Sequence, residues 1–513
     1  MKKTLYIFIS AILSLSICSC DLDTMPTNSV AADLALANAE NAEKVLNGTW
    51  SYLMDTYQSY ANPGWSCVLL NSDAMGNDVA MQPGKYGYLT AYRFNSMNQP
   101  GATAAWSPWW FAYKTIDNCN GIITTIDNLD GDATLKQRVK AQALALRGYM
   151  YFSLATHYQF NYQVNPNAKC VPIYTTPTTG ESEPQPQSTV QEVYIRASTD
   201  LTDAYTLFDG MTYTRDKKHK IDKEVVAGIL ARLYLTKGDE WVNAEKYAGL
   251  AQAKTKWMSK EAYHAGFNDN TNDEWIWGHG QQPDQDQASY SFHFRDVVSS
   301  AAYYYSFMAD PYFKDFFIKE ITPAPANDTI YDTGDTRYDL FEWDVARFKG
   351  GLMYKKFLFR SNMTGDIVLM RKAEMVLIQA EALAEQGQLT PAIAKLNELR
   401  TERGAATPDL SSLSKQDLIE EILIERRKEL WGEGFSLTDI LRRQKAVERK
   451  VYPTTHLHIN GVPQYTDKDK TTKMYIQGHT TVKKPDGSNF SVNDPIYLFV
   501  IPNNEINYNP NIQ

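Results

Sequence analysis

Apolar residues recur at helical spacing through two long stretches of this chain, 41–255 and 368–445. A chain patterned this way must bury one stripe of each helix against a neighbour. The spacing predicts helices over 39–53, 109–126, 135–158, 189–208, 223–238 and 241–254, then over 368–386, 391–403, 414–434 and 437–443. Trp109, Tyr113, Ile116 and Asn120 share one stripe, and Ala141, Ala145, Tyr149 and Phe152 share another. Thr189, with Glu192 three residues on, reads as a capping box. Between the helical stretches, 256–367 is rich in Asn, Asp, Gly and aromatics. It is expected to be irregular, with short strands such as 275–277, and 446–513 is again loop and strand.

The consecutive helix pairs resemble tetratricopeptide units. Small residues sit where antiparallel helices would cross: Ala373, Ala380, Ala382 and Ala384 in one helix, Ala392 and Ala394 in the next. Stacked pairs of this kind bury a continuous core. The expected fold is mainly α: tetratricopeptide-like helix pairs in an α-α superhelix, supporting an irregular loop-rich ligand-binding region with a few short strands. The full repeat consensus is absent, and a generic helical bundle is the alternative.

The N-terminus predicts where the chain works. Lys2 and Lys3 precede an apolar run, Thr4 to Ile17, of signal-peptide length, shorter than the ~20 residues that span a bilayer. Ile17-Cys18-Ser19-Cys20 resembles a bacterial lipobox. Cleavage before Cys20 would make 1–19 a lipoprotein signal peptide, Cys20 the lipidated residue and 20–40 a polar tether. A single body then fills 41–513. An ordinary secretory signal is the alternative. The body is expected to lie outside the cytoplasm, with the lipid as its membrane attachment.

Charge narrows the partners. Without Lys2 and Lys3 there are 49 basic and 60 acidic residues, a net charge of −11. Nucleic acid would need a basic face and is excluded as a partner. Cys67, Cys119 and Cys170 allow at most one disulfide, so this is no disulfide scaffold. No zinc-ligand spacing is present. No cofactor is expected. A structural calcium ion would have to use the Asn/Asp-rich stretches 268–273 or 327–335, which lack EF-hand spacing.

Several segments carry a resemblance together. They are Cys20-Asp21-Leu22-Asp23, the Trp109 to Asn120 stripe, the run Ala141 to Phe152, Cys170-Val171-Pro172, and Glu192-Val193-Tyr194 with Asp200-Leu201 and Ala204. Further on come Arg371 to Ala382, Leu396 to Arg400, Ile424 to Gly434, Asp439 to Arg442, and Ile501-Pro502 to Asn509-Pro510. In this order, over almost the whole chain after Cys20, they resemble the SusD/RagB family of Bacteroidetes outer-membrane lipoproteins. The resemblance implies a cell-surface location, capture of a glycan without bond cleavage, and delivery to a partner TonB-dependent transporter of the SusC type. It also implies that the ligand site draws on the loop before the Trp109 helix. Asp21, which can signal inner-membrane retention in some bacteria, is outweighed by it.

Sugars present apolar C–H faces and hydroxyl edges, so a glycan site needs flat aromatics with polar neighbours. Aromatics at helical spacing (Trp109, Tyr113, Tyr149, Tyr151, Phe152, Trp431) are expected in the core. Two loop clusters remain. The segment 73–110 offers Asp73, Asn77, Asp78, Tyr86, Tyr88, Arg93 and, as the leading platform, Trp106. The segment 275–312 offers Trp277, Tyr290, Tyr303, Tyr304 and Tyr305. Trp275 and Trp277 would share one strand face, and that face could be core.

The charged run Glu425, Arg426, Lys428 and Glu429 is expected to be a solvated helix face with pairs three residues apart. Arg147 is expected to be an internal ion-pair partner. Two other functions stay open: a repeat scaffold that helps a transporter capture a peptide, and a glycoside hydrolase. The second would need two facing carboxylates, for which Asp73 with Asp78, Asp273 with Glu274, and Asp335 are the candidates.

Overall fold

The computed structural model describes residues 35–84, 87–283, 288–323, 329–453, 455–465 and 473–512. The signal peptide, Cys20 and most of the tether therefore lie outside the described residues, as do Lys85 and Tyr86. No helix among the described residues is long and apolar enough to cross a membrane.

The helices form where periodicity predicts them, with caps that explain their ends. α1 (Ala39–Asp55) starts at Asn38, whose side chain accepts from Asn41 N at 2.9 Å. A helix that sequence reading missed, α2 (Ser66–Met75), follows. α3 (Thr103–Thr125) begins six residues before the predicted start and carries Trp106 in its first turns. α4 (Ala133–Tyr158) is capped by Asp132. α5 (Val190–Asp209) opens on the capping box of Thr189 and Glu192. α6 (Lys223–Lys237) ends at Gly238 in the left-handed region, and α7 (Trp241–Gln252) turns back on it. After the irregular middle come α8 (Lys372–Glu385), α9 (Leu389–Glu402), α10 (Lys415–Leu430) and α11 (Ser436–Arg442).

From α3 to α9 each helix packs on the next in chain order, and α7 packs directly on α8 across the loop-rich insertion. This is the antiparallel array of a helical solenoid. Close approach depends on small residues. A Cβ on Gly148 of α4 would stand 2.9 Å from Leu201 Cγ and 3.0 Å from Ala197 O on α5. Ala373, Ala380, Ala382, Ala384 and Ala392 are buried as expected, but Ala394 faces solvent. Arg147 bridges α4 and α5 by donating to both carboxylate oxygens of Asp200 at 2.7 and 2.8 Å.

The middle of the chain supplies short strands. β1 (Val79–Met81), β3 (Phe307–Ala309), β5 (Leu352–Tyr354) and β4 (Phe341–Trp343) form one antiparallel sheet, in the spatial order β4-β5-β3-β1. β2 (Trp275–His279) pairs with β6 (Ile367–Arg371). The predicted helix over 368–386 therefore starts late, because 367–371 is a strand buried along its whole length. The predicted helix over 414–434 stops at Leu430, since Gly432 and Gly434 adopt φ of +77° and +94°.

The charged run in α10 is not a solvated face. Glu425, Arg426, Lys428 and Glu429 are buried. Their partners come from distant segments. Glu429 accepts from Arg371 at 2.6 Å, Arg403 at 2.9 Å and Arg337 at 3.0 Å. Glu425 accepts from Arg337 at 2.5 Å and Arg400 at 2.7 Å, while Lys428 pairs with Asp335 at 3.1 Å. Arg371 and Arg403 both reach Glu274 at 2.9 Å, and Lys356 pairs with Glu433 at 2.5 Å. Helical spacing of three is the same for a wet and a dry face, so the local pattern could not separate them.

Removing one partner of such a buried network strands the others without compensation. Glu429→Ala is expected to cost about 3–5 kcal/mol of unfolding free energy, read by urea denaturation. Burial pushes the Glu425 carboxyl up, but Arg337, Lys428 and Arg400 outweigh it and hold it at about 2. A carboxylate held below its unfolded value contributes stability that is complete above pH 4.5 and is lost as pH falls toward 2. Thermal midpoints should therefore drop over that range, and Glu425→Gln should flatten the drop.

Candidate functional site

The pairing of β1 with β3 decides what faces what. It joins Val79 to Ala309, Ala80 to Met308 and Met81 to Phe307. The two loop clusters picked out in the sequence thereby meet. The backbone N–H groups of Tyr304 and Tyr305 both donate to His293 O, at 3.0 and 2.9 Å, and Ser306 N donates to Phe294 O at 3.0 Å. Between these segments lies a cleft of about 1030 Å³, walled by 59–62, Asn71, Gly84, parts of 87–104, Tyr303 and Tyr304. That size is at the top of the ~300–1,000 Å³ range of small-ligand sites.

The cleft combines aromatic faces with polar atoms that the protein leaves unmatched. Tyr304 stacks on Phe294, with ring centroids 4.5 Å apart, and on Tyr60 at 5.5 Å. Tyr303 is 66 % exposed and leans on His293 at 4.7 Å. Asn62 Oδ1, Asn71 Nδ2, Ser96 Oγ and Tyr88 OH are buried at its wall without a hydrogen-bond partner. A buried polar atom costs about 1–3 kcal/mol while unpaired, so these atoms call for water or ligand. Among the described residues the lining carries no charged side chain.

The model of the SusD family matches residues 155–513, and a second, described as starch-binding associating with outer membrane, matches 51–235. A SusD-like carbohydrate binding protein from Bacteroides vulgatus ATCC 8482 is 43 % identical over 93 % of this chain and 97 % of its own, with a TM-score of 0.84. The chain belongs to the SusD family. A SusD superfamily protein from Bacteroides thetaiotaomicron VPI-5482, 23 % identical, shares the fold over 93 % of this chain and 99 % of its own, at a TM-score of 0.70. SusD-like protein P38 from Formosa agariphila is 41 % identical over 90 residues, and that match spans 18 % of its length and 16 % of this chain.

Within this SusD-family fold the sequence candidates separate. Tyr303 and Tyr304 line the cleft. Tyr88 is in its wall, but its ring is buried edge-on against Phe294 at 4.8 Å and Phe307 at 5.5 Å. Trp106, the leading platform in the sequence, lies in α3, half-buried beside Trp110 at 5.9 Å, outside the cleft lining. Trp110, 44 % exposed and overlooked, is the more open ring of the two. Arg93 is exposed in a neighbouring shallow groove with Thr480 and Lys483. Tyr290 packs between Tyr57 and His293, and Tyr305 lies under Arg347 at 3.6 Å.

Four candidates are corrected outright. Trp277 is wholly buried, donating to His219 O at 2.8 Å and packed between Trp50 and Tyr149, because its strand is covered on both faces. Asp73, Asn77 and Asp78 turn the other way, into a separate groove of about 310 Å³ against α10 and α11. Asp73 accepts from Gly434 N at 2.7 Å, and burial pushes its carboxyl up to about 7. Asn77 accepts from Glu448 N at 2.8 Å, and Asp78 takes both arms of the Arg427 fork. Residues missed by sequence reading are Tyr60, Asn62 and Asn71. The run Ser59-Tyr60-Ala61-Asn62-Pro63, a turn with an aromatic beside an amide, was the available signal.

The carboxylates weighed for hydrolysis are occupied elsewhere. Glu274 is buried against Arg371 and Arg403, whereas Asp273 is exposed and pairs with Lys256 at 3.5 Å. Asp335 is held by Arg337 at 2.7 Å. Cys67, Cys119 and Cys170 are buried free thiols, each pushed up to about 12 by burial. No three His, Cys, Asp or Glu side chains converge as a metal site among the described residues.

Gly87 shapes the cleft floor. It adopts φ +75°, and a Cβ there would stand 2.5 Å from Phe294 Cε1, the ring that supports Tyr304. Gly87→Ala should destabilise the fold by about 1–3 kcal/mol and shift the Tyr304 ring, as read by thermal unfolding and a crystal structure of the variant.

Proposed function

We propose that this protein captures a glycan at the bacterial surface and passes it, uncleaved, to a TonB-dependent transporter of the SusC type. The observation that carries this is the cleft in which Tyr60, Tyr303 and Tyr304 stand beside unmatched amide and hydroxyl groups. Sugar C–H faces stack on the rings, and sugar hydroxyls both donate to Asn62 Oδ1 and accept from Asn71 Nδ2. The family description, starch-binding associating with outer membrane, and the carbohydrate-binding relative from B. vulgatus support the same reading. Among the described residues the cleft lining has no carboxylate, which supports capture over hydrolysis, a reaction that needs an acid and a nucleophile or base across the bond.

Lipid on Cys20 would hold the body at the outer leaflet, and the polar stretch up to residue 40 would give it reach. Firm attachment needs more than one acyl chain. Affinity at the cleft is modest, because stripping water from many hydroxyls offsets much of the contact gain.

Affinity electrophoresis against a panel of plant, host and microbial polysaccharides tests this. At least one glycan should retard the protein, and Tyr303→Ala with Tyr304→Ala should abolish the retardation while the melting temperature stays within a few degrees. Released reducing sugar would overturn the reading. Pull-down from detergent-solubilised outer membrane should recover a large β-barrel partner, and its absence would remove the transport role.

A further inference from the structure

A second cleft, of about 720 Å³, opens where α1 and β2 end. Trp50, Asp55, His219, Asn270 and Gln281 are in its wall. Two ion pairs lie inside it, while Lys217 is exposed, Lys218 donates to the Asn272 and Trp275 carbonyls and Asp269 accepts from Thr271. Asp366 holds Arg360 at 2.9 Å, and Asp216 holds Lys220 at 3.0 Å. Trp50 Nε1 donates to His279 Nδ1 at 3.1 Å, which leaves the ring hydrogen on Nε2, 2.9 Å from Asp55 Oδ1. His219 lies parallel to Trp50, with centroids 5.8 Å apart, and burial lowers its pKa to about 4, so the stacked imidazole is neutral.

One acceptor is left over. Gln281 is 3 % exposed, and its Oε1 has no partner. That atom requires a donor. A hydroxyl supplies one, whereas a carboxylate anion has none to give. Beside it, the side-chain amide of Asn270 leans over Gly280, where a Cβ would stand 2.5 Å from Nδ2. The chemistry recognised here is a neutral, polyhydroxylated ligand.

The two clefts are neighbours. Asp55 lines this one and Ser59 the first. Four residues of extended chain span at most about 14 Å. Tyr57, 43 % exposed, lies between them in sequence, 5.2 Å from the Tyr290 ring. Tyr290 continues to His293 at 5.3 Å and His293 to Tyr303 at 4.7 Å. A line of aromatic rings thus runs from Tyr57, two residues beyond Asp55 of the second cleft, to the exposed tyrosine of the first.

We infer that the second cleft is a further sugar subsite, holding the far end of the same glycan through hydroxyl contacts at Gln281 and Asn270. The inference rests on the glycan reading of the first cleft. Only chains long enough to cross the Tyr57–Tyr303 ridge would use both.

Calorimetric titration of the whole protein with matched short and long oligosaccharides from starch, xylan, mannan and pectin tests it. Tyr60→Ala should weaken the short and long members of the bound series alike. Asn270→Ala and Gln281→Ala should leave the short member unchanged and weaken the long one by roughly three- to tenfold, the equivalent of one hydrogen bond. Asn270 is partly exposed, so its variant is safe for folding if the buried Gln281 variant is not. Equal losses, or none, for short and long chains in Asn270→Ala overturn the second subsite and leave the first standing. Wild-type protein that binds nothing in the panel overturns both.

Discussion

Everything in this structure is registered on Glu429. Its two carboxylate oxygens take guanidinium groups from three places in the chain, Arg337, Arg371 and Arg403. Around it, Glu274, Glu425, Glu433 and Asp335 are shared among the same arginines, Arg400, Lys356 and Lys428. Burying so many charges is no simple gain, because desolvation offsets most of the attraction, and well-packed apolar side chains could do as well. What apolar side chains lack is direction. A guanidinium fork donates to carboxylates in one plane at fixed spacing, so this set of partners closes in one arrangement only.

That arrangement matters because it joins parts the solenoid alone would not. Arg371 ends β6 and Arg403 follows α9, while Glu274 directly precedes β2 and Arg337 belongs to the irregular middle. The network therefore ties the loop-rich insertion to the helical array at α10. From there the four-stranded sheet carries order outward, from β5 through β3 to β1. Tyr303 and Tyr304 lie just before β3, and the wall residues within 87–104 follow β1. A cleft made of loops is thus held by strands that are themselves fixed to a buried charge network. Loops placed on a rigid base in this way can vary in sequence without loss of the fold.

Much of this was legible from residues alone, and the failures have physical causes. Helices from α4 to α7 are readable because apolar residues recur at helical spacing, and for α5 the Thr189–Glu192 capping box also marks the start. The α10 charges were misread because their partners lie up to about a hundred residues away and leave no local trace. Asp73, Asn77 and Asp78 were grouped with Tyr88 because they are near in sequence. Between them the chain enters a sheet, and the end of α2 points toward Gly434 while the chain beyond β1 turns toward the cleft. Trp106 falls outside the helix read from periodicity because that reading starts at Trp109, whereas α3 begins at Thr103 and continues through Pro108, which removes the usual bond to the Ala104 carbonyl. In the Tyr303-Tyr304-Tyr305 run three consecutive rings cannot share one face, and each has a different environment: Tyr303 is exposed, Tyr304 stacks on Phe294 and Tyr305 lies under Arg347.

The proposed glycan site carries a physical requirement of its own. A protein that delivers cargo must let go of it, so recognition has to come from contacts that are numerous and individually weak. Uncharged tyrosine faces and single amide or hydroxyl groups meet that requirement. Charged partners would not, since each charge-assisted bond is roughly twice as strong as a neutral one and slows release accordingly. Among the described residues the lining of the first cleft carries no charged side chain, and in the second two ion pairs lie within the lining. In the second cleft Asp366, Arg360, Asp216 and Lys220 are engaged before a ligand arrives. The protein thus keeps its strongest electrostatics for folding, around Glu429, and leaves ligand recognition to groups that exchange easily with water.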